Sequence, residues 1–229
     1  MSPAHNNHGL FSDHYLRKHL PELSGEALEQ ARVDQEALRE IYREGVGHAA
    51  DGGKEAACEQ WLLRPVMEVL GFARFEKPPL PTEETTFEPD YALFAAAEDI
   101  PEDSRDPEVF YPPALAIAEA KRFDRDLGSA ERDDDSASRR QHPGAQTRRY
   151  LFESGVRWGI LTNGKLWRIY ERERSRAGFR YYEVDLPALL GADVQDFRYF
   201  WLLFRRAAYQ ADEAGESPIG DVLEGSRRY

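Results

Sequence analysis

The sequence predicts an α/β fold whose core runs in the order αβββαβ, with a helical extension before it and a helix after it. Three stretches carry that expectation. Ala114 to Lys121 is a run of Ala, Leu and Ile ending in Glu-x-Lys; set between Pro112-Pro113 and Arg122-Phe123-Asp124, it reads as a short strand buried on both faces. Lys54 to Leu70 carries Trp61, Leu62, Val66, Val69 and Leu70 at helical spacing, with Gly71 placed to stop it. Asn163-Gly164 separates two hydrophobic runs, 156–162 and 165–171, which is a hairpin signal calling for positive φ at both central residues.

The elements follow in chain order. Residues 1–9 are expected to be disordered. Residues 11–23 form a short entry segment with Tyr15, Leu16 and Leu20 turned inward. A second helix spans 25–43, and Gly45, Gly47 and Gly52-Gly53 interrupt any continuation. Pro65 is expected to kink the helix over 54–70. The first strand covers 72–76 and is broken by Pro78 to Pro81; the second covers 91–95 and is headed by Asp90. The Pro-, Asp- and Glu-rich stretch 98–113 reads as a mobile loop, and 128–138 as a second acidic loop placed to close over substrate. A helix starts near Pro143 and is capped by Gly155. Strands follow at 156–162, 165–171 and, as an edge, 179–184. The aromatic stripe Phe200, Trp201, Leu203 and Phe204 in a helix over 197–211 is read as core packing. These elements divide the chain into a helical extension (1–50), a core (51–190) and a C-terminal helix with the start of a connector (191–229).

The chain has 229 residues, a formal net charge of −12 and one cysteine, Cys58. That balance argues against a simple basic nucleic-acid-binding module, and a single cysteine excludes an internal disulfide. Part of the acid sits in the loops, at Asp133-Asp134-Asp135 and near 98–108, while Arg139-Arg140, Arg148-Arg149 and Arg157 are expected to face phosphates. No apolar run nears the roughly 20 residues that span a bilayer. The N-terminus has no signal-peptide pattern, so a cytoplasmic location is expected.

The chemistry centres on the ends of two strands. Side chains alternate along a strand, so Glu119 and Lys121 share one side while Ala120 faces the other. If the strand headed by Pro89-Asp90 pairs with it, Asp90 and Glu119 converge on one hard-oxygen site suited to Mg²⁺, with Lys121 beside it. Glu84 and Glu88 reach the same place only in a shifted register, and Asp124 and Asp126 are read as solvated. Four residues apart on the later helix, Gln146 and Tyr150 share a face.

Pro-Asp, a spacer and Glu-x-Lys resemble the signature of the PD-(D/E)XK nuclease superfamily. Gln146-x-x-x-Tyr150 resembles the motif that follows it in the recombination-nuclease branch and in type I restriction subunits. "LTNGKLWRIY" looks like the strand pair closing the nuclease domain of type I and type IIG restriction enzymes, and "FSDHYLRKHLPEL" and "CEQWLLRPVMEVLGF" resemble segments that precede it. The resemblance implies a restriction-endonuclease-like core with a mixed sheet and a Mg²⁺-dependent DNA endonuclease of a restriction-modification or phage-defence system, with Mn²⁺ able to substitute. It implies catalytic roles for Asp90, Glu119, Lys121, Gln146 and Tyr150, and metal ligands at Asp90, Glu119, the Ala120 backbone carbonyl and Glu59. Glu55, four residues before Glu59, shares its face. Expected partners are double-stranded DNA and methyltransferase and DNA-recognition domains, on a longer polypeptide or on other chains; "SPIGDVLEGSRRY" looks like the start of a connector to them. Two alternatives stand beside this reading: a non-catalytic docking module on the same fold, serving a methyltransferase or motor, and a nuclease acting on RNA or single strands.

Overall fold

The computed structural model of the protein describes residues 5–51, 54–123, 125–128, 142–176, 178 and 180–229. Asp124, Phe179, Asp133-Asp134-Asp135, Arg139-Arg140 and most of the acidic loop expected over 128–138 lie outside the described residues.

Among the described residues, seven strands form one mixed sheet. In chain order these are β1 (His5–His8), β2 (Ala73–Glu76), β5 (Tyr91–Phe94), β6 (Ala116–Ala120), β7 (Trp158–Thr162), β8 (Leu166–Glu171) and β9 (Tyr181–Asp185); a separate two-stranded ribbon pairs β3 (Leu80–Pro81) with β4 (Thr86–Phe87). The order across the sheet is β1-β9-β8-β7-β6-β5-β2, parallel only between β6 and β7. That parallel pair needs a crossover, supplied by the helix Pro143–Ser154. The α/β core in the order αβββαβ is therefore present, with the short ribbon inserted between its first two strands.

Buried residues alternate between the two faces. Tyr91, Leu93, Ala116, Ala118 and Ala120 pack toward one helical layer together with Leu38, Cys58, Leu62 and Phe200. Ala92, Phe94, Ile117 and Leu161 pack toward the other with Tyr150, Leu151, Phe110 and Tyr111. The first layer contains α1 (Asp13–His19), α2 (Gly25–Ala50), the helical segment from Glu55 to Val69, α3 (Val194–Phe204) and α4 (Pro218–Ser226). In α3, which ends at Phe204 rather than at 211 and is followed by a 3₁₀ turn at Arg206–Ala208, Phe200, Trp201, Leu203 and Phe204 are all core residues, as their spacing predicts.

Several expectations from the sequence are corrected. His5–His8 is a strand pairing with β9, so β9 is an interior strand rather than an edge. The pairing uses backbone groups, and the His5 ring stacks on Tyr199 at 4.2 Å, which a polar HNNH sequence does not advertise. Helix α2 continues through Gly45 and Gly47 to Ala50. Gly45 is there for contact, because a Cβ at that position would lie 2.3 Å from the Trp61 carbonyl oxygen. The helix over Glu55–Val69 carries a π turn at Glu59–Leu63. Pro65 follows immediately; lacking an N–H, it cannot bond the Trp61 carbonyl four residues back, and that carbonyl faces Gly45.

The stretch 98–113 is ordered, with a 3₁₀ turn at Ala97–Asp99 and a helical turn at Pro107–Phe110. Phe110 and Tyr111 anchor it in the core, and their two isolated aromatics are outnumbered in sequence by acids and prolines. The β7–β8 hairpin forms, but Gly164 alone has positive φ (82°) and the two-residue loop is Gly164-Lys165. Asn163 instead accepts the backbone N–H groups of Lys165 and Leu166 on its side-chain oxygen.

Candidate active site

The site lies where β5 begins and β6 ends. Tyr91 pairs with Ala118 in this antiparallel pair, so the register extended by one residue sets Asp90 across from Glu119. Directly opposed residues project to the same side of the sheet. The Asp90 carboxylate accepts the Ala120 backbone N–H at 2.8 Å, which fixes it against the last residue of β6. On its other side, the Lys77 N–H donates to the Asp90 carbonyl at 2.9 Å.

Glu119 is 2 % exposed. One of its oxygens receives the Lys121 ammonium at 2.5 Å, and the other is buried without a hydrogen-bond partner. Lys121 also lies 4.0 Å from Glu55. Its own backbone N–H donates to the Thr162 carbonyl at 2.8 Å, continuing the parallel pairing past the end of β6.

From the facing helix, Glu55 and Glu59 approach Asp90. One carboxylate oxygen from each of these three residues lies within 4.8 Å of the other two. Both glutamates approach Asp90, as their i,i+4 spacing on one helical face allows. Glu59 is buried, and its carboxylate accepts the Tyr91 hydroxyl at 2.5 Å. Tyr91 escaped notice in the sequence; the signal was an aromatic with a polar tip directly after Asp90. Glu84 and Glu88 are exposed and outside this trio, and Asp126 is exposed, with its carboxylate accepting the Gly128 N–H.

The electrostatics match an excess of carboxylates in a dry place. Burial pushes the Asp90 carboxyl up to about 6; the Ala120 N–H and Lys121 counteract this, and Glu59 and Glu55 add to it. Burial, followed by the facing Asp90, pushes Glu119 up to about 8. For Lys121 burial pulls downward, but Glu119 and the other acids outweigh it and the net direction is up. Glu119 shifts upward because it is the more deeply buried of the pair and has the Asp90 carboxylate beside it.

Gln146 and Tyr150 sit on the crossover helix on the Glu119 side of the sheet. The Gln146 amide donates to the Tyr150 hydroxyl at 2.7 Å, and burial, then the Glu119 charge, raises the tyrosine to about 12. Arg149 stacks over Phe87, 5.4 Å from the ring centroid. Arg157 precedes β7, roughly 16 Å of strand away from Thr162 at about 3.3 Å per residue, and pairs with Glu171. It lies at the far end of the sheet, not beside the site.

Fold and site together describe a mixed α/β protein with an acidic cluster and a buried glutamate–lysine pair at the end of its central strands. No family model matches the chain, and no curated protein does. Among solved structures, it is similar to the cryoEM structure of the DrdV–DNA complex, with a TM-score of 0.38 and 15% identity, over 80% of this chain and 14% of that one. The chain thus spans about a seventh of that protein's length. No described helix is long and apolar enough to cross a membrane.

Proposed function

We propose that this protein is a divalent-cation-dependent nuclease that hydrolyses DNA phosphodiester bonds, the cleavage module of a restriction-modification or phage-defence system. The observation that carries this reading is that Asp90, bonded to the Ala120 N–H and within reach of Glu55 and Glu59, stands at one end of paired strands, where the register sets the Glu119–Lys121 pair across from it. The order of the motifs, which resembles that of the PD-(D/E)XK nucleases, supports it.

The donor set fits Mg²⁺ or Mn²⁺. The trio Glu55, Glu59 and Asp90 offers oxygen ligands only and gathers like charges that repel one another; Glu119 lies outside that trio, bonded to Lys121 through one oxygen, and its other, buried oxygen has no partner. Asp90, Glu59 and Glu55 would hold the cation, with Glu119 and the Ala120 carbonyl as the further ligands that the resemblance implies. When bound, it would supply Lewis-acid stabilisation of phosphoryl charge and lower the pKa of water.

The chain's own groups account for the rest. Hydrolysis adds water oxygen to phosphorus, breaks one P–O ester bond and transfers a proton to the departing oxygen. Lys121, held in place by Glu119, presents a fixed positive charge to the phosphoryl oxygens as negative charge builds there. Gln146, oriented by its bond to Tyr150, presents an amide to the attacking water or to the phosphate. Because the net charge of −12 disfavours contact with a polyanion, target selection falls to methyltransferase and DNA-recognition partners.

The test is cleavage of supercoiled plasmid with Mg²⁺ or Mn²⁺ by wild type and Lys121→Ala. Wild type nicks or linearises the plasmid, and the variant is slower by at least about 100-fold. Equal nicking by both proteins refutes the reading. The acidic balance favours a second reading, a docking platform for a methyltransferase or motor. In that case Asp90→Ala removes no cation site in a calorimetric titration.

A further inference from the structure

We propose that Tyr91 is a positioning residue that locks Glu59 into its ligand orientation, with Arg64 setting the direction of the hydrogen bond. This inference rests on the cation site put forward above. Tyr91 is fully buried, and its hydroxyl lies 2.5 Å from Glu59 Oε2. Arg64 Nε lies 3.4 Å from the same hydroxyl, and its Nη2 is tied to Glu76 at 2.9 Å.

The direction follows from donor chemistry. A guanidinium can only donate, so the tyrosine oxygen accepts from Arg64, and its single proton is left for Glu59. Glu59 Oε2 is thereby held by the Tyr91 hydroxyl, which fixes the orientation of the carboxylate that reaches Glu55 and Asp90. Without this relay, a glutamate side chain on a helix would have several rotamers to lose on binding a cation. The sequence explains why Tyr91 can act here. It directly follows Asp90 and faces the opposite side of the sheet, so one dipeptide supplies both a carboxylate at the strand end and a hydroxyl beneath the helix carrying Glu59.

Groups that orient a ligand through its second hydrogen bond typically contribute about 10–100-fold to metal affinity. The experiment is calorimetric titration of the full chain with Mn²⁺, alongside thermal melts in chelator. Tyr91→Phe keeps the ring that fills the core and loses only the hydroxyl. It is expected to bind Mn²⁺ about 10–100-fold more weakly at unchanged stoichiometry. Arg64→Gln, at a partly exposed position, shifts affinity in the same direction by less. Tyr42→Phe is the control: it loses a buried hydroxyl bond to the Gly164 carbonyl, lowers Tm and leaves Mn²⁺ affinity unchanged. Tyr91→Phe within twofold of wild type, while Asp90→Ala abolishes binding, overturns the role of Tyr91 and leaves the cation site standing. If Asp90→Ala titrates like wild type, the cation binds elsewhere and both inferences fall.

Discussion

Asp90→Asn separates what the site needs from what the fold needs. The aspartate carboxyl is raised from an ordinary 3.8 to about 6, with burial the largest cause. At about 1.36 kcal/mol per unit, a charged Asp90 costs the metal-free fold up to about 3 kcal/mol; its partial exposure brings a working figure to about 2 kcal/mol. For a raised acid the folded state holds its proton longer than the unfolded chain. The cost is therefore absent below about pH 4, grows as pH rises and is fully present above about pH 6. Asparagine keeps an oxygen to accept the Ala120 N–H and never carries the charge. In chelator, Asp90→Asn should match wild type near pH 4 and melt about 4–8 °C higher at pH 8, given the usual size scaling. With Mn²⁺ at about 100 times its Kd the order reverses, because wild type gains about 2.7 kcal/mol and the variant nothing. Melting curves at pH 4, 6 and 8, with and without Mn²⁺, check every part. A variant less stable than wild type at pH 8 in chelator, or a difference that does not change with pH, refutes the reasoning.

Three further substitutions probe the scaffold. Gly45→Ala places a Cβ 2.3 Å from the Trp61 carbonyl oxygen, a backbone atom that cannot yield cheaply, and 2.9 Å from the Leu62 Cδ2 methyl; a loss of about 3 kcal/mol is expected in urea unfolding. Lys77, at φ 50°, is the only described non-glycine residue with positive φ, and its N–H is tied to the Asp90 carbonyl. Lys77→Gly should relieve that conformation and raise stability by up to about 1 kcal/mol; a lower Tm would show that the lysine side chain contributes more than the strain removes. Arg168 is buried, 2.5 Å from Glu183 and 4.2 Å above the Tyr181 ring, and donates to the Leu127 and Gly128 carbonyls at 2.9 Å. Arg168→Met leaves Glu183 unpaired and should cost about 3–5 kcal/mol, while the double variant with Glu183→Met recovers a large part of it.

What the sequence revealed depended on whether a residue acts through burial or through contact. Ala116 to Ala120 announced a doubly buried strand, Gly155 a helix stop at φ 75°, and Gln146 and Tyr150 a shared helical face, because each follows from hydrophobicity, backbone freedom or helical period alone. The first strand stayed hidden because its pairing with β9 uses backbone groups that every residue has. Gly45 was misread as a helix breaker; its role depends on Trp61, sixteen residues away, whose carbonyl oxygen a Cβ at position 45 would meet. Similarly, Tyr91 reads as an ordinary strand aromatic until the helix carrying Glu59 is placed above it.

The small residues of β6 explain how such a charged site can exist in so apolar a core. Ala116, Ala118 and Ala120 all face the layer that contains Cys58 and Leu62, whereas Ile117 and Glu119 face the crossover helix. Three alanines on one face present little more than backbone, so a helix can approach that face closely enough for Glu59 to meet the Tyr91 hydroxyl and the Asp90 carboxylate. Larger side chains there would lift the helix and draw Glu55 and Glu59 away from Asp90 without altering a single titratable group. The Glu-x-Lys pair therefore works only in partnership with the alanines that alternate with it. One face of the strand brings the carboxylate and ammonium to its end, and the other admits the helix that completes the ligand set.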